Sequence, residues 1–222
     1  GFGLAAVINF LQWKHNGFQT RGLKTVSPRM LYHMARMYDE WPGEDYEGSS
    51  CRGAMKGWHR HGVCAEPVWP YRNPKKQIAF VPPRPGWEQD AASRPLGAYY
   101  RIEKRSLTDL QSAVIEVGAI YCSANVHKGW FLKKPRDPVL IPHDAKNIGG
   151  HAFAIIGYTE DGFMVFPAGG DDWVNNTVYG APAPSVIFNR KRGEPEIWAG
   201  IFVRAEETLP FTFSAVDLYS SL

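Results

Sequence analysis

The sequence predicts an α+β fold, with helices gathered in the first part of the chain and strands in the second. Three observations carry that expectation. Capping signals and helical spacing of apolar residues recur through residues 4–62. Alternating apolar stretches dominate after residue 98. The two patterns do not interleave as repeated strand–helix–strand units would. A length of 222 residues suffices for one substantial core or for two small lobes sharing an interface.

The segment 4–13 is apolar nearly all round (Leu4, Ala5, Ala6, Val7, Ile8, Phe10, Leu11), which predicts a helix buried on every side. Residues 14–26 are polar with two glycines, a loop. Ser27-Pro28 reads as an N-cap followed by proline at the first helical position. Leu31, Met34, Ala35 and Tyr38 continue an amphipathic helix towards residues 41–43. A third helix starts after Gly48-Ser49-Ser50, turns Ala54, Met55 and Trp58 inward, and stops at Gly62. Residues 67–95 are rich in proline and aromatics and read as an extended boundary region.

Residues 99–102 form a strand. Ser106-Leu107-Thr108-Asp109 is a capping box, opening a helix through Leu110, Val114 and Val117 to Gly118. Residues 119–126 alternate, with Ile120, Cys122, Ala124 and Val126 on one face. Residues 127–148 read as a long loop. Strands at 151–158 and 163–166 are joined by a Thr159-Glu160-Asp161-Gly162 turn, and another strand runs near 200–204. The predicted lobes are residues 1–95, helical, and 96–222, rich in strands.

Composition narrows the function classes. Apolar residues are 44% and charged residues 21%, an ordinary globular balance. No apolar run reaches the roughly 18 residues of a membrane span. The net charge of +3 is too small and dispersed to point to nucleic acid. The three cysteines, Cys51, Cys64 and Cys122, leave at least one thiol free. Cys51 and Cys64 flank one helix and stand roughly 20 Å apart at 1.5 Å per residue, beyond disulfide reach. Reduced thiols, no signal peptide and hence a cytoplasmic setting are expected. His59 and His61 point to different sides of a helix, and His33, His127 and His143 show no ligand spacing, so neither metal nor cofactor is expected.

The most specific stretch is Gly149-Gly150-His151-Ala152-Phe153-Ala154-Ile155-Ile156-Gly157-Tyr158, in which a histidine opens a buried strand directly after a glycine pair. With Val26-Ser27-Pro28-Arg29-Met30-Leu31-Tyr32, Gly48-Ser49-Ser50, Gly62-Val63-Cys64 and Trp69-Pro70-Tyr71 in the same order, the chain resembles the papain-like cysteine peptidases, especially disulfide-free bacterial members. The resemblance implies a two-lobe fold. A helical N-terminal lobe carries the nucleophile-side and substrate-loop helices. A barrel-like antiparallel sheet forms the C-terminal lobe, with a cleft between the two.

The chemistry it implies is nucleophilic. A cysteine thiolate attacks the peptide carbonyl, and a histidine holds it as an ion pair and then protonates the leaving amine. His151 takes the histidine role. Gly48 and Ser49 match the loop whose backbone pairs with an extended substrate. Cys51, Ser123, Gly149 and Ala152 match the main specificity pocket, whose small residues imply a roomy one, and Trp173 matches a wall of the cleft. The family's Cys-x-Gly/Ala-Phe pattern puts the nucleophile two residues before Gly1, and the oxyanion-hole Gln further upstream. His151 lies about as far from that position as the family's roughly 130–150-residue spacing requires.

One departure touches the histidine's support. Where the family has Asn-Ser-Trp-Gly, this chain reads Pro167-Ala168-Gly169-Gly170. Pro167 has no side-chain carboxamide, and Asp171 and Asp172 are the nearby acids. The expected function is therefore a peptidase acting on a peptide or protein substrate between the lobes, with further domains upstream of Gly1 as a possible addition. Residues 1–222 by themselves are expected to be inactive. The alternative is a catalytically dead relative that serves as a binding or interaction module.

Overall fold

The computed structural model describes residues 1–41, 48–75, 79–102, 106–127, 139–140, 146–158, 162–166, 186–189, 197–202, 204–205 and 213–214. Helix α1 (Phe2–His15) buries Leu4 through Ile8, Phe10, Leu11 and Gln12. It packs on α2 at one side and on the sheet at the other, which is why its sequence is apolar all round.

Helix α2 (Pro28–Met37) is started by Ser27, whose Oγ accepts from Met30 N at 3.0 Å and donates to Trp69 O at 2.5 Å. It ends at Met37, earlier than the sequence spacing predicts. Tyr38 leaves the helical region (φ −112°, ψ 19°). Asp39 Oδ1 then accepts the Glu40 N–H at 2.8 Å, giving the backbone a local alternative to the helix. Helix α3 (Cys51–His61) is capped by Ser50, whose Oγ accepts from Gly53 N at 3.0 Å. Gly57 lets it press on α2, because a methyl there would sit 2.7 Å from Met34 Cβ.

Within the expected extended region 67–95 the chain instead forms α4 (Trp87–Ala92). Packing prevails over local composition here. Trp87 meets Trp69 edge-on at 5.3 Å, and Ala91 is buried against the end of α3.

The strands are β1 (Tyr100–Ile102), β2 (Ile120–His127), β3 (Val139–Leu140), β4 (Asn147–Tyr158), β5 (Gly162–Phe166), β6 (Val186–Asn189), β7 (Ile197–Phe202), β8 (Arg204–Ala205) and β9 (Phe213–Ser214). Helix α5 (Leu107–Val117) follows β1, with Ser106 Oγ accepting from Asp109 N at 3.2 Å. Seven strands form one sheet in the order β1-β7-β2-β4-β5-β6-β3, and β8 pairs β9 apart from it.

One expectation is corrected: the sheet is open and not barrel-like, because among the described residues its end strands β1 and β3 do not pair, as closure requires. It is antiparallel as expected, apart from the short parallel pairing of β3 with β6. Strand β4 begins at Asn147 and β3 lies at 139–140, so the expected 127–148 loop is shorter. The 159–162 turn, apart from Gly162, falls outside the described residues.

The sheet separates two cores. On one face Ala119, Tyr121 and Ala154 join α1, α2 and α3. On the other, Ile120, Cys122, Ala124, Phe153 and Ile155 meet α5. The split follows from the two-residue period of strands β2 and β4. No helix among the described residues is long and apolar enough to cross a membrane.

Candidate active site

Three chain segments converge near the middle of β4, around Ala152. The first turn of α1 reaches the strand at Gly3, where a methyl would lie 2.7 Å from both C and O of Ala152. The same turn touches α2: a methyl on Gly1 would sit 2.6 Å from Pro28 O and 2.8 Å from Tyr32 Cβ. Helix α3 brings Cys51 against β2, where its thiol hydrogen-bonds the Ser123 and Tyr121 side chains.

His151 stands opposite Ala124 of β2, half-buried, and its ring stacks with Phe153 at 6.4 Å. The next residue, Ala152, packs against the helix-side core. Burial holds the imidazole below its usual pKa, and the positive amino group of Gly1 lowers it further. That amino group is buried as well and is lowered to about 6, with Cys51 acting in the opposite direction. His151, Cys51 and the leading end of α1 therefore share one electrostatic neighbourhood.

The sequence-expected pocket residues divide as follows. Ser123 and Ala152 are cross-strand partners, and Cys51 joins them through Ser123. Gly149, opposite Val126, is exposed with φ +135°, next to an irregularity in the β2–β4 ladder. Gly48 and Ser49 form the approach to α3. Gly48 has φ +137°, a conformation that favours glycine. Trp173, Pro167, Gly169, Asp171 and Asp172 lie outside the described residues.

Sequence reasoning passed over four further residues. Tyr121 lies two positions from Ser123 on the same face of β2 and bonds Cys51; the period of two was the available signal. Tyr32, Arg36 and Asp39 on and just beyond α2 contact the 48–50 segment. That contact is long-range and leaves no trace in local pattern.

None of the three cysteines has the character of a thiolate nucleophile. All are buried and free. Burial raises each thiol's pKa, for Cys64 to about 12, with the Asp90 carboxylate adding to it. Among the described residues no group of three or more His, Cys, Asp or Glu gathers as metal ligands would.

This architecture, the leading end of a helix meeting the strand that carries His151 beside a helix-covered sheet face, is the fold of the papain-like cysteine proteases; His151 does not open that strand, as the sequence suggests, but is its fifth residue, because the β2 ladder continues back to Asn147. Among solved structures the chain is similar to xylellain, a cysteine protease from Xylella fastidiosa, with a TM-score of 0.63 and 23% identity over 91% of this chain and 78% of that one. It is also similar to the Carica candamarcensis cysteine protease CMS1MS2 in complex with E-64 (TM-score 0.51, 15% identity, 91% and 88% covered). A third is digestive procathepsin L 3 of Tenebrio molitor larval midgut (TM-score 0.55, 14% identity, 89% and 62% covered). No protein-family model matches the sequence, and no curated protein matches it.

Proposed function

We propose that the chain is the body of a cysteine peptidase that hydrolyses peptide bonds, with His151 as general acid and base and the nucleophilic cysteine two residues before Gly1. The substrate lies extended between the helices and the sheet, along Ser49, with one side chain directed towards Cys51, Ser123 and Ala152. The thiolate adds to the carbonyl carbon, the proton on His151 passes to the departing amine, and water then cleaves the thioester.

The single observation carrying this reading is the junction of Gly3 with Ala152. It brings the leading end of α1 beside the strand position of His151, and a residue just ahead of that end would meet the imidazole. The three buried cysteines supply no competing nucleophile. The test is hydrolysis of a fluorogenic peptidyl amide by the protein carrying its natural residues upstream of Gly1. Turnover is expected, with a loss of about 10²–10⁴-fold in His151→Ala, and no turnover by residues 1–222 alone. Turnover unchanged in His151→Ala refutes the assignment.

A second reading is favoured by Pro167, which stands where a histidine-orienting Asn belongs. Under it the fold binds peptides without cleaving them. A residue other than Cys two positions before Gly1 decides for this second reading.

A further inference from the structure

The segment 48–50 is fastened by side chains on and just beyond α2. Gly48 N donates to Tyr32 Oη at 3.3 Å, and Arg36 Nη1 donates to Gly48 O at 2.9 Å. Ser50 N donates to Asp39 Oδ1 at 3.1 Å, and the same oxygen accepts Glu40 N at 2.8 Å. The Asp39 side chain is only 4% exposed, and its Oδ2 lies 3.8 Å from Arg36 Nη1. The residue between the two fastened ones is Ser49. Among the described residues its N–H and C=O make no hydrogen bond, although it is only half-buried. Both backbone groups of Gly48 are therefore spent on α2 and the N–H of Ser50 on Asp39 just beyond it, and those of Ser49 are left for another partner.

We propose that Tyr32, Arg36 and Asp39 are positioning residues that hold the 48–50 backbone so that Ser49 pairs with one residue of an extended peptide. The inference deepens the proposed function and rests on it for the identity of the ligand as peptide. The ligand chemistry is a chain with free backbone N–H and C=O groups, added as a short strand. The three side chains act through the loop and touch no peptide themselves. Arg36 Nη1 both donates to the Gly48 carbonyl and pairs with the Asp39 carboxylate that holds Ser50, so one guanidinium links the two fastened ends of the segment. Tyr32 combines its bond to Gly48 with packing of its Cβ against Gly1, which ties the loop to the leading end of α1. Ordering the loop before binding spares the peptide that entropic cost.

The experiment is peptide binding by the chain of residues 1–222, followed by amide NMR and calorimetry with a capped, uncleaved tripeptide. Binding is expected to shift the Ser49 amide and slow its exchange. Arg36→Ala is expected to weaken affinity about tenfold, the scale of one lost charge-assisted hydrogen bond. Arg36→Lys restores part of the affinity, and Arg101→Ala, an exposed charge loss on β1, changes nothing. Tyr32→Phe gives a smaller loss with folding intact. A silent Ser49 amide, no binding, or equal affinity in Arg36→Ala and Arg101→Ala overturns the inference. Turnover by the upstream-extended protein tests the peptidase reading separately. Peptide pairing at Ser49 without turnover overturns the peptidase reading and leaves the positioning role standing.

Discussion

Ser123 of β2 and Ala152 of β4 face each other across the ladder, on the side of the sheet that meets the helices. Cys51 completes the group from the first turn of α3 through its hydrogen bond to Ser123. Residues 51, 123 and 152 are brought together by one cross-strand register and one helix start. A one-residue slip of β2 against β4 would turn Ser123 to the opposite face and dismantle the group.

The burial of this group predicts quiet thiols. Burial, partly offset by the Ser123 and Tyr121 hydrogen bonds, raises the Cys51 thiol, and Cys64 and Cys122 are also raised. In a disulfide-exchange colour assay on residues 1–222 near pH 8, no thiol reacts in the native state. All three cysteines react in denaturant. A fast native thiol at Cys51 contradicts this packing.

Gly3→Ala is predicted to destabilise the protein by about 1–3 kcal/mol. The added carbon would lie 2.7 Å from the Ala152 carbonyl, and backbone cannot give way as a flexible side chain does. Urea unfolding reads the shift. Alanine at Gly86, where only the Gln89 side chain comes within 3.9 Å, meets no such contact and costs only its left-handed backbone strain.

Ser27→Ala removes a helix cap and leaves the Trp69 carbonyl without its donor in a buried site. The expected cost is about 1–3 kcal/mol. Ser27→Thr keeps the hydroxyl and recovers part of it. Equal midpoints for the wild type and Ser27→Ala in thermal unfolding contradict the capping role.

The pH dependence follows from His151, whose pKa is depressed in the fold by burial. The unfolded histidine titrates near 6.5. The native state therefore binds the proton less readily than the unfolded chain. Stability is complete above about pH 6.5 and declines as the pH falls from there through the folded pKa. Subtracting the profile of His151→Gln isolates the histidine, and a difference that is flat from about pH 7.5 to about pH 5 contradicts the shift.

The helices were legible because their signals are local. Ser27-Pro28, Ser50 before Cys51, Gly62, and Ser106 before Asp109 each cap where the sequence says. The alternation through 119–126 likewise places Ile120, Cys122 and Ala124 on one face. Helix α4 was hidden because the contacts of Trp87 with Trp69 and of Ala91 with α3 are long-range. The open sheet was hidden for the same reason, since strand order is a relation between distant segments. Of the candidate site, Gly48, Ser49, Cys51, Ser123, Ala152 and His151 were readable through family-like motifs. Tyr32, Arg36 and Asp39 were not, because only the fold brings them to Gly48 and Ser50, and Tyr121 carried only the period of two that puts it on the face of Ser123.

The central claim is that His151 serves a thiolate carried just ahead of α1. Its most direct test is covalent trapping of the natural, upstream-extended protein with a peptidyl epoxide, read by peptide mass mapping. The account predicts a single adduct on a cysteine two residues before Gly1, formed far more slowly in His151→Ala. An adduct on Cys51, Cys64 or Cys122 instead, or a trapping rate indifferent to His151, contradicts it.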